Sequence, residues 1–184
     1  MEIVVGITGA TGSIYAVRLL EALKEKDVKT HLIISHWAKV NLKLEANYSV
    51  DYLENLSAAV YDNKNMGAKT SSGSFITDGM IVIPCSMKTL SSIANGYCEN
   101  LISRSADVMI KEGRKLVICP RETPLSPIHL RNMLQLADMG VKIVPPMPAF
   151  YNHPRNIEDL ISHHVMKLLD QFGIKQVNGR RWNG

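Results

Sequence analysis

The sequence predicts an α/β fold in which a single doubly wound parallel sheet carries helices on both faces. Three observations predict it. Short apolar runs alternate with segments of helical period along most of the chain. The runs are continuously apolar, as expected of parallel strands covered on both sides. The unusual polar residues gather just after those runs end, at Gly9 to Ser13, Ser35, Cys85 to Thr89 and Arg121-Glu122, which is where such sheets bind ligands. With 184 residues and no internal repeat, long linker or low-complexity tract, the chain reads as one domain over 1–184.

Ile3-Val4-Val5 is the first strand. Ala16, Leu19, Leu20 and Leu23 then recur at helical spacing, with Glu21, Lys24 and Glu25 among them. His31 to Ser35 gives a second strand, and a helix is expected around residues 37–45. Met80 to Pro84 and Leu116 to Pro120 are further strands, each closed by proline, and Val141 to Val144 closes the same way at Pro145-Pro146. The last helix runs from about Ile157 to Phe172, with Ile157, Leu160, Ile161, Val165, Leu168, Leu169 and Phe172 on one stripe. Lys167, seven positions after Leu160, falls at the flank of that stripe. It is either a snorkelling lysine or a cation aimed into a site at a subunit edge.

Composition excludes several classes. No apolar run approaches a bilayer span, and the N-terminus lacks a basic region and cleavage pattern, so a cytoplasmic protein without a membrane role is expected. The three cysteines, Cys85, Cys98 and Cys119, form no C-x-x-C pair, and no Cys/His cluster has zinc spacing. A net charge of +4 with scattered basic residues is no nucleic-acid footprint; it fits pockets for small anions.

The stretch "GITGATGSIY" joins the first strand to its helix. A dinucleotide loop expects a third glycine where Tyr15 stands, and an acid after the second strand where Ser35-His36 stand. The lysine of a P-loop is missing too. What remains is a turn whose N–H groups and hydroxyls can hold one phosphate monoester, or a purely structural glycine turn. In "PCSMKTL", Ser86 and Thr89 can cap a helix or grip a mononucleotide. Lone Cys85, with no histidine near in sequence, reads as a packed thiol. Arg104 and Lys111 share a helix face, which alone means a solvated surface. Arg121 after a strand can fork onto a phosphate, and a buried Glu122 beside it can relay a proton. "PPMPAFYNHP" presents Tyr151 on a rigid proline loop, as a wall or lid or simply for packing.

Taken together, "GITGATGSIY", "SSGSF", "IPCSMKTL", "RSADVMIKEGRKL", "PRETPLS", "PPMPAFYNHP", "LDQFG" and the terminal "RRW" resemble the UbiX-like flavin prenyltransferases, including the small B subunits associated with aromatic acid decarboxylases. The likeness covers nearly the whole chain. It implies a flavodoxin/Rossmann-like sheet that binds reduced FMN and attaches to it a dimethylallyl group from dimethylallyl monophosphate. The prenylated flavin then serves a UbiD-type decarboxylase. By match to the motifs, Gly9, Ala10, Thr11, Ser35, Ser86, Met87, Lys88, Thr89 and Arg121 are expected to hold FMN. Glu45, Arg104, Lys111, Glu122, Tyr151, Lys167 and Trp182 are expected around the prenyl phosphate and the reacting atoms, with Tyr151 and Lys167 on the phosphate and Ser13 near the flavin ring. The resemblance also implies a homododecamer with sites at subunit interfaces, where segment 173–184 is expected to pack. Some relatives carry arginine where this chain has Lys167, so charge is kept and the bidentate fork lost.

Within that assignment, Lys111, Lys167 and Arg104 can neutralise the departing phosphate, Glu122 can shuttle a proton at N5, and the face of Trp182 can stabilise positive charge. No Asp-rich magnesium motif is present, which fits a reaction without a catalytic metal. Three rivals are weighed. A flavin-dependent cysteine decarboxylase carries a P-x-M-N motif where this chain reads Pro146-Met147-Pro148-Ala149. The others are a flavin carrier without catalysis and a decarboxylase subunit acting directly on a phenolic acid.

Overall fold

The structure, a computed structural model, describes residues 1–175 and Arg181. Strands β1 (Glu2–Ile7), β2 (Lys29–Ile34), β3 (Ala59–Asp62), β4 (Gly79–Cys85), β5 (Lys115–Pro120) and β6 (Lys142–Ile143) form one parallel sheet in the order β3-β2-β1-β4-β5-β6. The order reverses between β1 and β4. Loops leaving those two neighbours depart to opposite faces, so a crevice opens at their carboxyl ends.

Helices α1 (Ser13–Glu25), α2 (His36–Asn41), α3 (Val50–Leu56), α4 (Met87–Ala94), α5 (Leu101–Lys111), α6 (Pro127–Asp138) and α7 (Ile157–Gln171) make the connections. One core layer packs α1, α3 and α7 on the sheet through Leu19, Leu20, Leu23, Leu53, Val165 and Leu168. The other packs α4, α5 and α6 through Leu90, Ile93, Ile102, Met109 and Leu136. Both faces of β1 and β4 are therefore covered, which is why their sequences are apolar without alternation.

The expected elements are present, with three differences. The helix expected at 37–45 is split. α2 stops at Asn41 and continues as a π turn over Leu42–Ala46, ending at Asn47 with φ 53°. The widened turn brings Glu45 onto the start of α1. The run Val141 to Val144 forms ladder pairs only at Lys142 and Ile143; Val144 adds one bond to the Ile118 carbonyl, and Pro145 and Pro146 have no N–H to extend it. Ile157, expected on the apolar stripe, is 75% exposed, because the first turn of α7 faces outward and is tied by Glu158 to Arg18 at 2.7 Å. No helix among the described residues is long and apolar enough to cross a membrane.

α7 carries a buried charge-capable group. The ring of His164 meets Tyr15 of α1 edge-on at 5.0 Å, and its Nε2 has no hydrogen-bond partner. Burial, and secondarily the neighbouring His163, pushes its pKa from 6.5 down to about 4. The neutral ring is native, so His164 costs nothing above pH 6.5. As pH falls from 6.5 to 4 the unfolded chain takes up the proton first, and stability drops by about 3 kcal/mol through this group. Urea unfolding of wild type and His164→Phe at pH 7 and pH 4.5 is expected to show a smaller acid loss in the variant; equal losses would contradict the assignment.

Candidate active site

The crevice is held by one side chain. Thr8, buried at the end of β1, donates from Oγ1 to the Pro84 carbonyl at 2.7 Å and accepts from the Ser86 N–H at 2.8 Å. The Thr8 N–H also reaches Pro84 O, at 3.2 Å. The same lip continues to β5, where the Arg121 N–H donates to Cys85 O at 3.1 Å. The loops after β1, β4 and β5 thus form one continuous edge.

Residues 9–12 turn tightly over that edge. Gly12 has φ 100°, in the left-handed region that favours glycine. A Cβ on Gly9 would lie 2.4 Å from Cβ of Trp37, so the loop presses against α2; Asn41 adds an Nδ2 bond to the Gly9 carbonyl at 3.1 Å. Glu45 reaches the N-terminus of α1, accepting from Gly12 N–H at 2.8 Å and from Ser13 Oγ at 3.4 Å. That carboxylate takes the positive end of the helix dipole for itself. Among the described residues, the N–H groups of Gly9, Ala10 and Thr11 donate to no protein acceptor.

Ser35 and Ser86 both cap helices, accepting from Ala38 N–H at 3.2 Å and Thr89 N–H at 3.4 Å. Capping does not withdraw them from the site: each cap places the first N–H groups of α2 or α4 at the rim. Met87 and Lys88 start α4 there, and Lys88 is paired with Glu99 at 3.1 Å.

Arg121 and Glu122, exposed at the end of β5, stand on the wall of a cleft of about 870 Å³ with Thr11, Gly12, Tyr15, Met133 and Pro146. This is the volume range of small-ligand sites. Tyr15, read from sequence as an obstacle to a dinucleotide loop, is part of that wall. Free loop N–H groups, hydroxyls and an arginine beside a partly apolar cleft fit a flavin mononucleotide.

Arg104 and Lys111 lie elsewhere. With Ser71, Ser72, Gly73 and Ser74 they line a separate depression of about 490 Å³. Arg104 bonds Ser71 O at 3.0 Å and Asp107 at 2.7 Å, and Lys111 pairs with Glu112. The sequence motifs "SSGSF" and "RSADVMIKEG" are brought together, but in one chain they do not share the cleft of Glu122. A third group lies on α7: Tyr151 Oη is 2.9 Å from His163 Nε2, and Lys167 follows one turn later with its charge felt at His163. Tyr151 and Lys167 are thus each related to His163, which sequence reading left unremarked. Arg181 folds back to Asp170 at 2.9 and 2.5 Å. Trp182 lies outside the described residues.

Cys85 and Cys119 are buried, and burial pushes both thiols up, so they are packed thiols and not nucleophiles. No group of three or more His, Cys, Asp or Glu among the described residues is placed to hold a metal ion.

A reversed-order parallel sheet whose switch-point loops offer free N–H groups and an arginine to a mid-sized cleft defines a mononucleotide-binding α/β protein. The profile of the Flavoprotein family matches residues 1–168. Flavin prenyltransferase LpdB of Lactiplantibacillus plantarum is 58% identical over 184 residues, covering 100% of this chain and 98% of its own. A dodecameric FMN-dependent UbiX-like decarboxylase from Escherichia coli O157:H7 superposes with a TM-score of 0.98 at 55% identity, over 100% of both chains. AnUbiX (PadA1), solved with FMN and dimethylallyl pyrophosphate, gives 0.98 at 50% identity over 100% of this chain and 97% of its own. The chain belongs to the Flavoprotein family, among the UbiX-like flavin prenyltransferases.

Thr8→Val removes the hydroxyl at constant shape, leaves the Ser86 N–H without its partner and leaves the Pro84 carbonyl with the Thr8 N–H alone. A loss of about 2–3 kcal/mol in urea unfolding and weaker FMN binding by fluorescence titration are expected, with Thr8→Ser close to wild type. Equal stability of Thr8→Val and wild type would show that the lip is held otherwise.

Proposed function

We propose that this chain is a cytoplasmic flavin prenyltransferase. It moves the dimethylallyl group of dimethylallyl monophosphate onto N5 and C6 of reduced FMN, and the product serves a UbiD-type aromatic acid decarboxylase. The observation that carries this reading is the Arg121-Glu122 pair on the wall of the switch-point cleft. It is supported by full-length likeness to a named flavin prenyltransferase. Reduced FMN, when bound, supplies the nucleophilic N5 and the ring carbon C6.

The residues divide the work. The N–H groups of Gly9 to Thr11 and of the first turn of α4, the hydroxyls of Ser35, Ser86 and Thr89, and Arg121 bind the FMN. Ser13, fixed by Glu45, sits at the ring end of that loop. Tyr151 and Lys167 bind the phosphate of dimethylallyl monophosphate. Arg104 and Lys111 add positive charge as the allylic C–O bond breaks and phosphate leaves, the part that metal ions take in diphosphate prenyltransferases. Glu122 takes the proton from N5. Because Arg104 and Lys111 line a depression of their own, they reach the Glu122 cleft from a neighbouring copy in a homododecamer. The same contact buries Glu122, which is exposed in one chain.

A second reading, direct decarboxylation of a phenolic acid, is favoured by one fact: the Escherichia coli O157:H7 relative is described as a decarboxylase. One experiment separates the two. Purified protein with reduced FMN and dimethylallyl monophosphate, kept anaerobic, is expected to release phosphate and yield a flavin heavier by one isoprene unit. Glu122→Gln lowers that rate by about 10²–10⁴-fold. Mixing Glu122→Gln with Lys111→Ala subunits restores part of the activity, since some interfaces then carry both native residues. Unchanged flavin, with loss of carbon dioxide from a phenolic acid, would instead establish the second reading.

A further inference from the structure

We propose that Glu112 is the resident counter-ion of Lys111 and opposes phosphate in the depression that Arg104 and Lys111 line: an arriving phosphate takes the lysine from the carboxylate, and the carboxylate retakes it when phosphate leaves. The inference rests on the reading above that Arg104 and Lys111 meet the departing phosphate of dimethylallyl monophosphate. Glu112 touches no reacting atom; it acts through the lysine.

The depression has a pinned floor. Arg104 Nε donates to Ser71 O at 3.0 Å, and Arg114 donates from Nη1 to Phe75 O at 2.8 Å and from Nη2 to Gly73 O at 2.5 Å. Gly73 lies between the outer anchors, and its missing side chain makes room for an ion pair. A Cβ there would collide with Glu112 Oε1 and stand 2.9 Å from Lys111 Nζ. The Lys111–Glu112 pair is therefore seated directly on the loop.

The two cations are held differently. Arg104 has its Ser71 anchor and, on the same helix, Asp107 at 2.7 Å. Lys111 pairs with its sequence neighbour at the end of α5, and its side chain is 45% exposed. The hydrogen bond and charge of Lys111 hold the Glu112 carboxyl below the usual carboxylate range, so it is ionised at neutral pH. An exposed pair of this kind is weak. A flexible lysine can exchange one carboxylate for a phosphate, while the arginine stays where a carbonyl and an aspartate fix it.

A carboxylate beside a lysine affects an incoming anion in one of two ways, with opposite signs. If it aims the ammonium, its removal weakens phosphate binding; if it occupies the ammonium, its removal strengthens binding. The geometry selects the second. Glu112 itself lines the depression, with Oε1 against both Gly73 and the ammonium, on the ground a phosphate oxygen would take. With Asp107 and Glu112 in place each cation is matched by a carboxylate, so the depression is no standing trap for a phosphate product.

The test titrates inorganic phosphate by calorimetry into wild type, Glu112→Gln, Lys111→Met and the double variant Lys111→Met/Glu112→Gln. Each is saturated with oxidised FMN, so that the flavin phosphate site is filled, and FMN affinity is the control for the fold. Lys111→Met is expected to weaken phosphate about 10-fold, the low end for a hydrogen bond to a charged group. Glu112→Gln is expected to tighten it about two- to fivefold, the range an exposed ion pair carries, and the gain shrinks as sodium chloride is raised. In the Lys111→Met background the gain is expected to fall below about 1.5-fold.

Weaker or unchanged phosphate binding in Glu112→Gln overturns the proposal, since the carboxylate would then aim the lysine or leave it alone. Equal tightening in both backgrounds also overturns it, because Glu112 would act as a plain negative charge and not through Lys111. If Lys111→Met binds phosphate as wild type does, the phosphate reading of Lys111 fails, and this inference goes with it.

Discussion

The hydroxyl of Thr8 does at the switch point what no β-ladder can do. β1 and β4 pair only as far as Gly6 and Val82, and beyond that their chains separate toward opposite faces. Pro84 has no N–H, and the β4 to β5 register slips between Val82 and Cys85. Without the Thr8 hydroxyl the Ser86 N–H would lack a partner and the Pro84 carbonyl would keep only the Thr8 N–H at 3.2 Å, at the place where a ligand must be gripped. Thr8 supplies a donor to Pro84 O and an acceptor to Ser86 N–H at once, and Arg121 N–H closes onto Cys85 O. The starts of α1 and α4 and the Arg121-Glu122 pair are therefore fixed relative to one another before any ligand arrives, which is the preorganisation a binding edge needs.

Electrostatics on that edge is divided. α1 opens with no acidic residue of its own in its first turn, yet its N-terminus is neutralised by Glu45 from 33 residues away. The N–H groups before Gly12 and the start of α4, whose first turn carries no acid, keep their positive ends unopposed. The π turn makes this possible, since an unbroken helix would carry Glu45 round to a different azimuth. Fixing Ser13 by the same carboxylate turns one side chain into both an electrostatic screen and a positioning device.

Much of this was legible in the chain. Continuous apolar runs gave parallel strands covered on both faces, and punctuation after them located the crevice. The glycine loop argued against the dinucleotide and P-loop versions and left a phosphate turn or a structural turn. Other features were hidden for physical reasons. Ser86 posed a choice between cap and ligand group, yet its cap itself brings the first N–H groups of α4 to the rim. Tyr15 looked like an obstruction because it was tested against a dinucleotide template. Glu45 could not be placed from helical period, because the period changes at Leu42. His163 lies at the flank of the apolar stripe, four residues before Lys167, and nothing in its spacing shows that Tyr151 meets it. Arg104 and Lys111 show their shared face in sequence, but no spacing shows that they line a depression apart from the Glu122 cleft.

The adjacent histidines of α7 explain why the last helix belongs to the site at all. Consecutive residues on a helix point about 100° apart. His164 therefore faces inward and meets Tyr15, the wall of the Arg121-Glu122 cleft, while His163 faces Tyr151 on the proline loop. Both rings are neutral for the same cause, burial, so neither competes with Lys167 for an anion. Two aromatic edges then register α7 against the wall of the Arg121-Glu122 cleft through one tyrosine and against the proline loop through the other. Lys167 inherits that register because it lies on the same helix, one turn from His163. A lysine has less geometric control over a phosphate than an arginine fork. In this chain the helix that carries Lys167 is fixed at two points, Tyr15 and Tyr151, by its adjacent histidines.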